Sequence, residues 1–389
     1  MSDPFRSERR GHPELRTAVR ALCAEFPGSY WRHLDRDRRY PEEFVARLTA
    51  DGFLGALVPE QYGGGGASLS AAAAILEEIH ASGGNGAACH AQLYTMGTLL
   101  RHGSDKQKDL WLPAIAAGDV RLQAFAVTEP AAGSDTLSIR TRATRDGDEY
   151  VLNGQKIWIS RAEHSDLMML LARTTPLDKV GRRTAGLSVF LVDLRSVGSG
   201  ITISPIRTMI NHSTTEVFFD DVRIPADCLI GDEGSGFRYI LSGMNAERIL
   251  IAAECIGDAR WFISAARQYA SDRVVFGRPI GQNQGVQFPI ARAYLATRAA
   301  DLMVKEALAL YEAEDPCGEE ANAAKLLASE ASWEAADMCL QIHGGFGFAE
   351  EYDVERKFRE TRLYQVAPIS TNMILSYVAE HVLGLTRSF

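Results

Sequence analysis

The sequence predicts an α+β protein of several domains: a helical N-terminal domain over residues 1–120, a middle β-barrel or β-sandwich over 121–233, and a C-terminal four-helix bundle over 234–389. Two changes of hydrophobic period predict it. Near residue 121 the apolar spacing passes from helical to alternating, and near residue 234 it returns to helical. A third observation is an unbroken stretch: residues 235–273 hold no proline over 39 positions, and the middle of that stretch is apolar on nearly every face, the pattern of a buried helix.

In the first part, PEEFVARLTADGFLGA (41–56) opens with Pro41 and two glutamates, which suit the first turn of a helix. Phe44, Val45, Leu48 and Phe53 then recur at helical spacing. SAAAAILEEIHAS (70–82) predicts a second helix. Between them, EQYGGGGAS carries a glycine-rich loop at 62–66. It reads as a turn, because a phosphate cradle would have to open a helix after a strand. In the second part, EYVLNGQKIWIS places β-formers around Asn153-Gly154, a pair that predicts a hairpin turn. LMMLLART, AGLSVFLVDL, ITISPI and EVFFDDVRI predict further strands with turn signals between them. In the third part, helical patterns follow the first long helix at about 284–313, 319–340 and 370–384, which makes four helices with short connections.

Composition excludes several functions. A formal charge of −9, from 41 Lys and Arg against 50 Asp and Glu, argues against a nucleic-acid partner held by counterion release. No apolar run reaches the roughly 18–20 residues of a membrane span. The stretch MSDPFRSERRGHPELR has no apolar segment after its charges and carries Asp3, Glu8 and Glu14, so it predicts neither a secretory signal nor a transit peptide, and the expected location is the cytoplasm. Cys23, Cys89, Cys228, Cys255, Cys317 and Cys339 form no CxxC pair and read as ordinary thiols of a reducing compartment. The histidines are scattered, and no metal site is expected.

Four segments carry more specific information. AVTEPAAGSD (126–135) is followed by NGQKIWIS (153–160). VFGRPIGQNQ lies at 275–284, and QIHGGFGFAEEYDVERKFRE at 341–360. In this order, across a β-to-α transition, they resemble the acyl-CoA dehydrogenase family over essentially the whole chain. The resemblance implies FAD as cofactor. It implies that the strand with Val127, Thr128 and Ser134 and the strand with Trp158 and Ser160 contact the flavin, Trp158 beside the ring system and Ser134 also near substrate. Ser160 stands where relatives often have Thr, so the hydroxyl is kept. The resemblance further implies that Gln341, Gly344 and Gly345 line the FAD of a neighbouring subunit, that Arg273, Phe276 and Gln284 reach its pyrophosphate and adenine, and that Ser370 and Asn372 touch the flavin or its phosphates. Gly344, Gly345 and Gly347 permit close backbone approach or positive φ. A shared FAD site implies an oligomer, expected to be a homotetramer.

Family chemistry removes an α-proton from an acyl thioester while the β-hydrogen leaves as hydride to the flavin, so a carboxylate base is needed. Many relatives carry it after the glycine motif, where this chain has LYQVAPISTN (363–372) without a carboxylate; the position falls on Pro368, or on Ile369 if one residue is inserted. A second subgroup, which includes isovaleryl- and long-chain acyl-CoA dehydrogenases, places the Glu on the first long C-terminal helix. MNAERILIAA matches it with Glu247, which shares a helical face with Met244, Leu250 and Ile251. A carboxylate in an apolar stripe needs a function or a partner; the other reading is an ion pair with an arginine. Arg248 and Asn245 match positions that contact CoA. Proline has no N–H to give the thioester carbonyl, so either Ile369 supplies it or the oxyanion site is weaker. The implied partners are an acyl-CoA and an electron-transferring flavoprotein. Flavin monooxygenases or desulfinases on the same fold, and a non-catalytic scaffold, are the alternatives.

Overall fold

The computed structural model describes Phe5 and residues 11–387. Asp3 and Glu8, which entered the reading of the N-terminus, lie outside the described residues. Helices α1 (Pro13–Ala24), α2 (Gly28–Asp37), α3 (Glu42–Ala50), α4 (Leu69–Ala81), α5 (Ala87–His102) and α6 (Asp105–Ala117) come first. Strands β1 (Leu122–Ala126), β2 (Arg142–Asp146), β3 (Glu149–Ser160), β4 (Leu167–Arg173), β5 (Leu187–Asp193), β6 (Ile201–Pro205), β7 (Thr214–Pro225) and β8 (Leu229–Ile230) follow. Helices α7 (Gly236–Asp272), α8 (Gln284–Glu312), α9 (Gly318–His343), α10 (Val354–Arg362) and α11 (Thr371–Tyr377) complete the chain. No helix among the described residues is long and apolar enough to cross a membrane.

These elements form two compact units. One comprises the residues up to Asp37, Ser68–Gly86 and Asn245 onward; the other comprises Arg38–Ala67 and Ala87–Met244. In the second unit the strands make one sheet in the order β6-β7-β3-β2-β4-β5-β8, with β1 parallel to β4. The sheet curls on itself. Val217 and Phe219 of β7 share a core with Phe190 and Val192 of β5, although three strands separate them in hydrogen-bonding order. Strand β4 is buried at every position, so both of its faces are covered.

In the first unit Phe262, Ile263 and Ala266 of α7, Ala293 of α8, Ala335, Ala336 and Cys339 of α9, and Val354 of α10 share a core. Alanines at these contacts let the helix axes approach closely. A buried polar network ties α4, α7 and α10 together. The Gly86 N–H donates to His80 Nε2 (3.0 Å), so the ring's proton sits on Nδ1 and is donated to Asp258 Oδ1 (2.9 Å). The Lys357 ammonium donates to the same carboxylate.

Four sequence expectations are corrected. Asn153-Gly154 is not a hairpin turn: β3 runs straight through it, and the turn lies at Gly147 (φ 63°), between β2 and β3. Gly154 makes a bulge against β7, and a Cβ there would lie 2.6 Å from the Thr141 Cα, so the glycine serves close packing. The helix expected over 41–56 ends at Ala50, because Gly52 turns the chain at φ 78°. The last long helix splits into α11 and a π turn over Val378–Val382. α10, which sequence periodicity missed, packs against α9. The glycine-rich loop is a turn, as read. The N–H groups of Gly64, Gly65 and Gly66 are spent on the carbonyls of Pro59, Gly55 and Val58.

Candidate active site

Glu247 sits on α7 beside Leu250 and Ile251, both buried, and is itself 8% exposed. No donor stands within hydrogen-bonding distance of its carboxylate among the described residues. Burial pushes its carboxyl up to about 7, against the pull of the Arg248 guanidinium and the Lys325 ammonium. The ion pair offered as the other reading of Glu247 does not form with its neighbour. Arg248 instead donates to Asn245 Oδ1 (2.9 Å), and Asn245 Nδ2 lies 3.6 Å from Cys317 Sγ.

Lys325, on α9, is a residue that sequence reasoning missed. Its ammonium is fully buried and donates to the Ile369 carbonyl (2.6 Å). Burial lowers it to about 8; the Arg248 charge adds to that shift and the Glu247 carboxylate opposes it. The bond fixes the segment Pro368–Ser370 to α9. In that segment Pro368 is exposed, and the Ile369 N–H has no acceptor among the described residues. The Ser370 hydroxyl caps α11 by accepting from the Met373 N–H (3.4 Å), and Asn372 is exposed.

The residues matched to FAD binding fall in two sets. In the β unit the structure brings AVTEPAAGSD and NGQKIWIS together. The Ile157 N–H donates to the Thr128 carbonyl (2.9 Å), and Lys156 Nζ donates to the Val127 carbonyl (2.8 Å) and to Glu129 Oε1 (2.9 Å). Glu129 also accepts from the N–H groups of Arg140 (2.6 Å) and Thr141 (2.9 Å). Burial alone would raise Glu129, but the Lys156 charge and these hydrogen bonds outweigh it and hold the carboxyl below its ordinary range. Trp158 stands on a bulge of β3, 56% exposed and at φ 62°. A large aromatic held out of the core in a left-handed conformation is costly unless it meets a ligand. Ser160 is half-buried and Ser134 is exposed.

In the helical unit Arg273 lies 5.6 Å from the Phe346 ring, so the structure brings it to the glycine stretch. Gln341 is exposed one turn before that stretch. Gly344 (φ 57°) and Gly345 meet no atom within 4 Å of an added Cβ, so both present open backbone. Phe276 is fully exposed at φ 53°, and Gln284 is exposed at the start of α8. An exposed aromatic in each set, open glycine backbone and exposed amides and cations fit a large, flat, phosphate-bearing cofactor. Among the described residues, no group of three or more His, Cys, Asp or Glu is placed to hold a metal, and all six cysteines are free thiols.

The family profiles described as the N-terminal, middle and C-terminal domains of acyl-CoA dehydrogenase match residues 10–119, 124–222 and 234–383. Acyl-CoA dehydrogenase FadE12 of Mycobacterium tuberculosis is 36% identical, and the match covers 100% of both chains. An acyl-CoA dehydrogenase from Geobacillus kaustophilus superposes with a TM-score of 0.90 at 29% identity, covering 96% of this chain and 98% of that one. A glutaryl-coenzyme A dehydrogenase in complex with glutaryl-CoA superposes with a TM-score of 0.89 at 30% identity, covering 96% and 95%. The chain therefore belongs to the acyl-CoA dehydrogenase family of FAD-dependent oxidoreductases.

Proposed function

We propose that this enzyme removes the α- and β-hydrogens of an acyl-CoA thioester to give the trans-2-enoyl-CoA, with Glu247 as the base. One observation carries the assignment: a buried carboxylate that has no hydrogen-bonded or ion-paired partner among the described residues, so that burial pushes its carboxyl up to about 7. A base poised there takes a proton at physiological pH and can release it afterwards. FAD supplies the hydride acceptor. Val127, Thr128, Ser134, Trp158 and Ser160 hold its ring system, Ser134 lying also near substrate. Arg273, Phe276, Gln284, Gln341, Gly344 and Gly345, from a neighbouring subunit, hold its pyrophosphate and adenine, with Ser370 and Asn372 beside the flavin or its phosphates. Arg248 and Asn245 hold the CoA moiety. The Ile369 N–H, left open and fixed by Lys325, serves the thioester carbonyl in place of the N–H that Pro368 lacks. Electrons pass to an electron-transferring flavoprotein.

The test is the purified holoenzyme against an acyl-CoA panel without oxygen. Bleaching of the yellow flavin by one class of acyl chain supports the reading. Yellow protein that no acyl-CoA bleaches favours oxygen-dependent chemistry on the same fold, and colourless protein favours a scaffold.

Lys325→Met should move the reaction's pH dependence. Flavin reduction needs Glu247 ionised, so its rate rises as pH rises through the carboxyl's midpoint. Removing a nearby positive charge makes ionisation harder and shifts that midpoint upward from about 7. Rates of anaerobic flavin reduction across pH 6–9 measure it; an unmoved or lowered midpoint would show that Lys325 acts only on the backbone of Ile369.

Because the FAD residues lie in two sets, the cofactor site is proposed to be shared between subunits of a homotetramer. Gel filtration of the yellow protein should give a multiple of 42.6 kDa. A monomer that keeps stoichiometric FAD would contradict the shared site.

A further inference from the structure

The end of β3 carries a hydrogen-bond chain whose direction is forced. Arg161 follows Ser160, and its guanidinium Nη1 donates to Asn211 Oδ1 (3.1 Å). A guanidinium has no acceptor, so the amide has one possible orientation: oxygen toward Arg161, nitrogen away. That nitrogen, Asn211 Nδ2, lies 2.8 Å from Ser160 Oγ. An amide N–H can only donate, so Ser160 Oγ accepts here. Its own O–H hydrogen then cannot point at Asn211 and must point elsewhere.

The scaffold holds this chain rigidly. The Arg161 N–H donates to the Ser213 carbonyl (2.6 Å), and the Thr214 hydroxyl donates to the Asn211 carbonyl (2.6 Å). Ser160 pairs with Thr214 across β3 and β7. Three non-glycine residues here adopt positive φ: Trp158 (62°), Arg161 (61°) and Asn211 (53°). Left-handed backbone at such residues persists only where the surroundings over-determine it, and it gathers at functional sites. Arg161 is buried while Ser160 is half-buried, so the chain runs from the protein interior to a hydroxyl that a ligand can reach.

We propose that Arg161 and Asn211 are positioning residues that turn the Ser160 O–H away from Asn211 and bias the hydroxyl toward donating a hydrogen bond to the flavin ring system. A Ser hydroxyl in isolation rotates and serves as donor or acceptor. With one of its two lone pairs occupied by an amide that cannot flip, its hydrogen is kept off Asn211, and the cost of orienting it when FAD binds is lowered. Polarisation along the chain from a cationic guanidinium strengthens that donation. A donor facing a ring atom that gains electron density on reduction stabilises the reduced cofactor. The inference rests on the reading that Ser160 contacts the flavin, and the experiment separates the two.

The experiment measures the midpoint potential of bound FAD in the holoenzyme and in Ser160→Ala, Asn211→Gly, Asn211→Leu and the Ser160→Ala combinations. FAD content and melting curves are the controls for folding. Glycine takes the positive φ of position 211 without strain, so Asn211→Gly keeps the fold accessible, and leucine excludes a water that refills the amide's place. Loss of one neutral hydrogen bond should favour the oxidised flavin about tenfold, about 30 mV for a two-electron couple. The expected result is that Ser160→Ala, Asn211→Gly and Asn211→Leu each lower the potential, and that neither Asn211 change adds to Ser160→Ala. If Ser160→Ala leaves the potential unchanged, the flavin contact itself is wrong and the inference falls with it. If Ser160→Ala lowers the potential but the Asn211 variants do not, or if they lower it equally without the hydroxyl, the contact stands and the positioning role is overturned.

Discussion

Glu247→Gln should lower the rate of flavin reduction by an acyl-CoA by at least about 10²–10⁴-fold while FAD and acyl-CoA still bind. Glutamine keeps the size and hydrogen-bonding capacity of the side chain and cannot take the proton. The stability of the variant makes the test decisive. Burial raises the Glu247 carboxyl from an ordinary 4.5 to about 7, so the folded protein holds this proton more tightly than the unfolded chain. The linked stability is fully present below about 4.5 and is lost as pH rises to about 7. Above that, the buried carboxylate costs the fold roughly 3 kcal/mol. Glutamine removes that cost, and at pH 8 the melting temperature should hold or rise. Were Glu247 a structural partner of a cation, the same change would strand a buried charge and destabilise by about 3–5 kcal/mol. Stopped-flow reduction without oxygen and a melting curve at pH 8 read both quantities. A lower melting temperature with near-normal reduction per folded molecule would sink the base assignment.

Lys156→Met should destabilise the β unit by about 3–5 kcal/mol and weaken FAD retention. Lys156 is fully buried, and it binds both the Glu129 carboxylate and the Val127 carbonyl. Methionine fills the space of the stem but leaves Glu129, 7% exposed, without its ammonium partner and held by Arg140 and Thr141. Glu129→Gln/Lys156→Met, which buries no charge, should recover part of the loss. Chemical denaturation with fluorescence, together with the FAD content of the purified variants, measures the effect. Wild-type stability in Lys156→Met would show that Arg140 and Thr141 suffice to hold the carboxylate, and that the pair does not fix the segment bearing Val127 and Thr128.

The same motifs show how far sequence reasoning reaches. AVTEPAAGSD and NGQKIWIS are legible as a related pair, but their Glu129–Lys156 bond is not. Apart in sequence, a Glu and a Lys read as surface charges, and only burial turns them into an obligatory pair. The Asn-Gly signal in NGQKIWIS misled because a local turn preference competes with the pairing of a long strand. Here β7 supplies partners on both sides of Gly154, and the missing Cβ is used to admit Thr141. At 41–56 the apolar spacing outlasts the helix, because Phe53 packs in the core from a short 3₁₀ turn beyond Gly52.

By itself the sequence determined the order α, then β, then α, the family, and Glu247 as a carboxylate within an apolar stripe, since all three depend on periodicity and on residues adjacent in the chain. Tertiary structure alone decided the electrostatics. Glu247 carries a proton affinity near 7 because helix packing removes water from it. Lys325 reaches the same neighbourhood from a helix far along the chain, and Asn211 donates to the Ser160 hydroxyl from a loop some fifty residues away. Desolvation and hydrogen-bond direction arise only when distant segments meet, and no periodicity in a linear sequence encodes them.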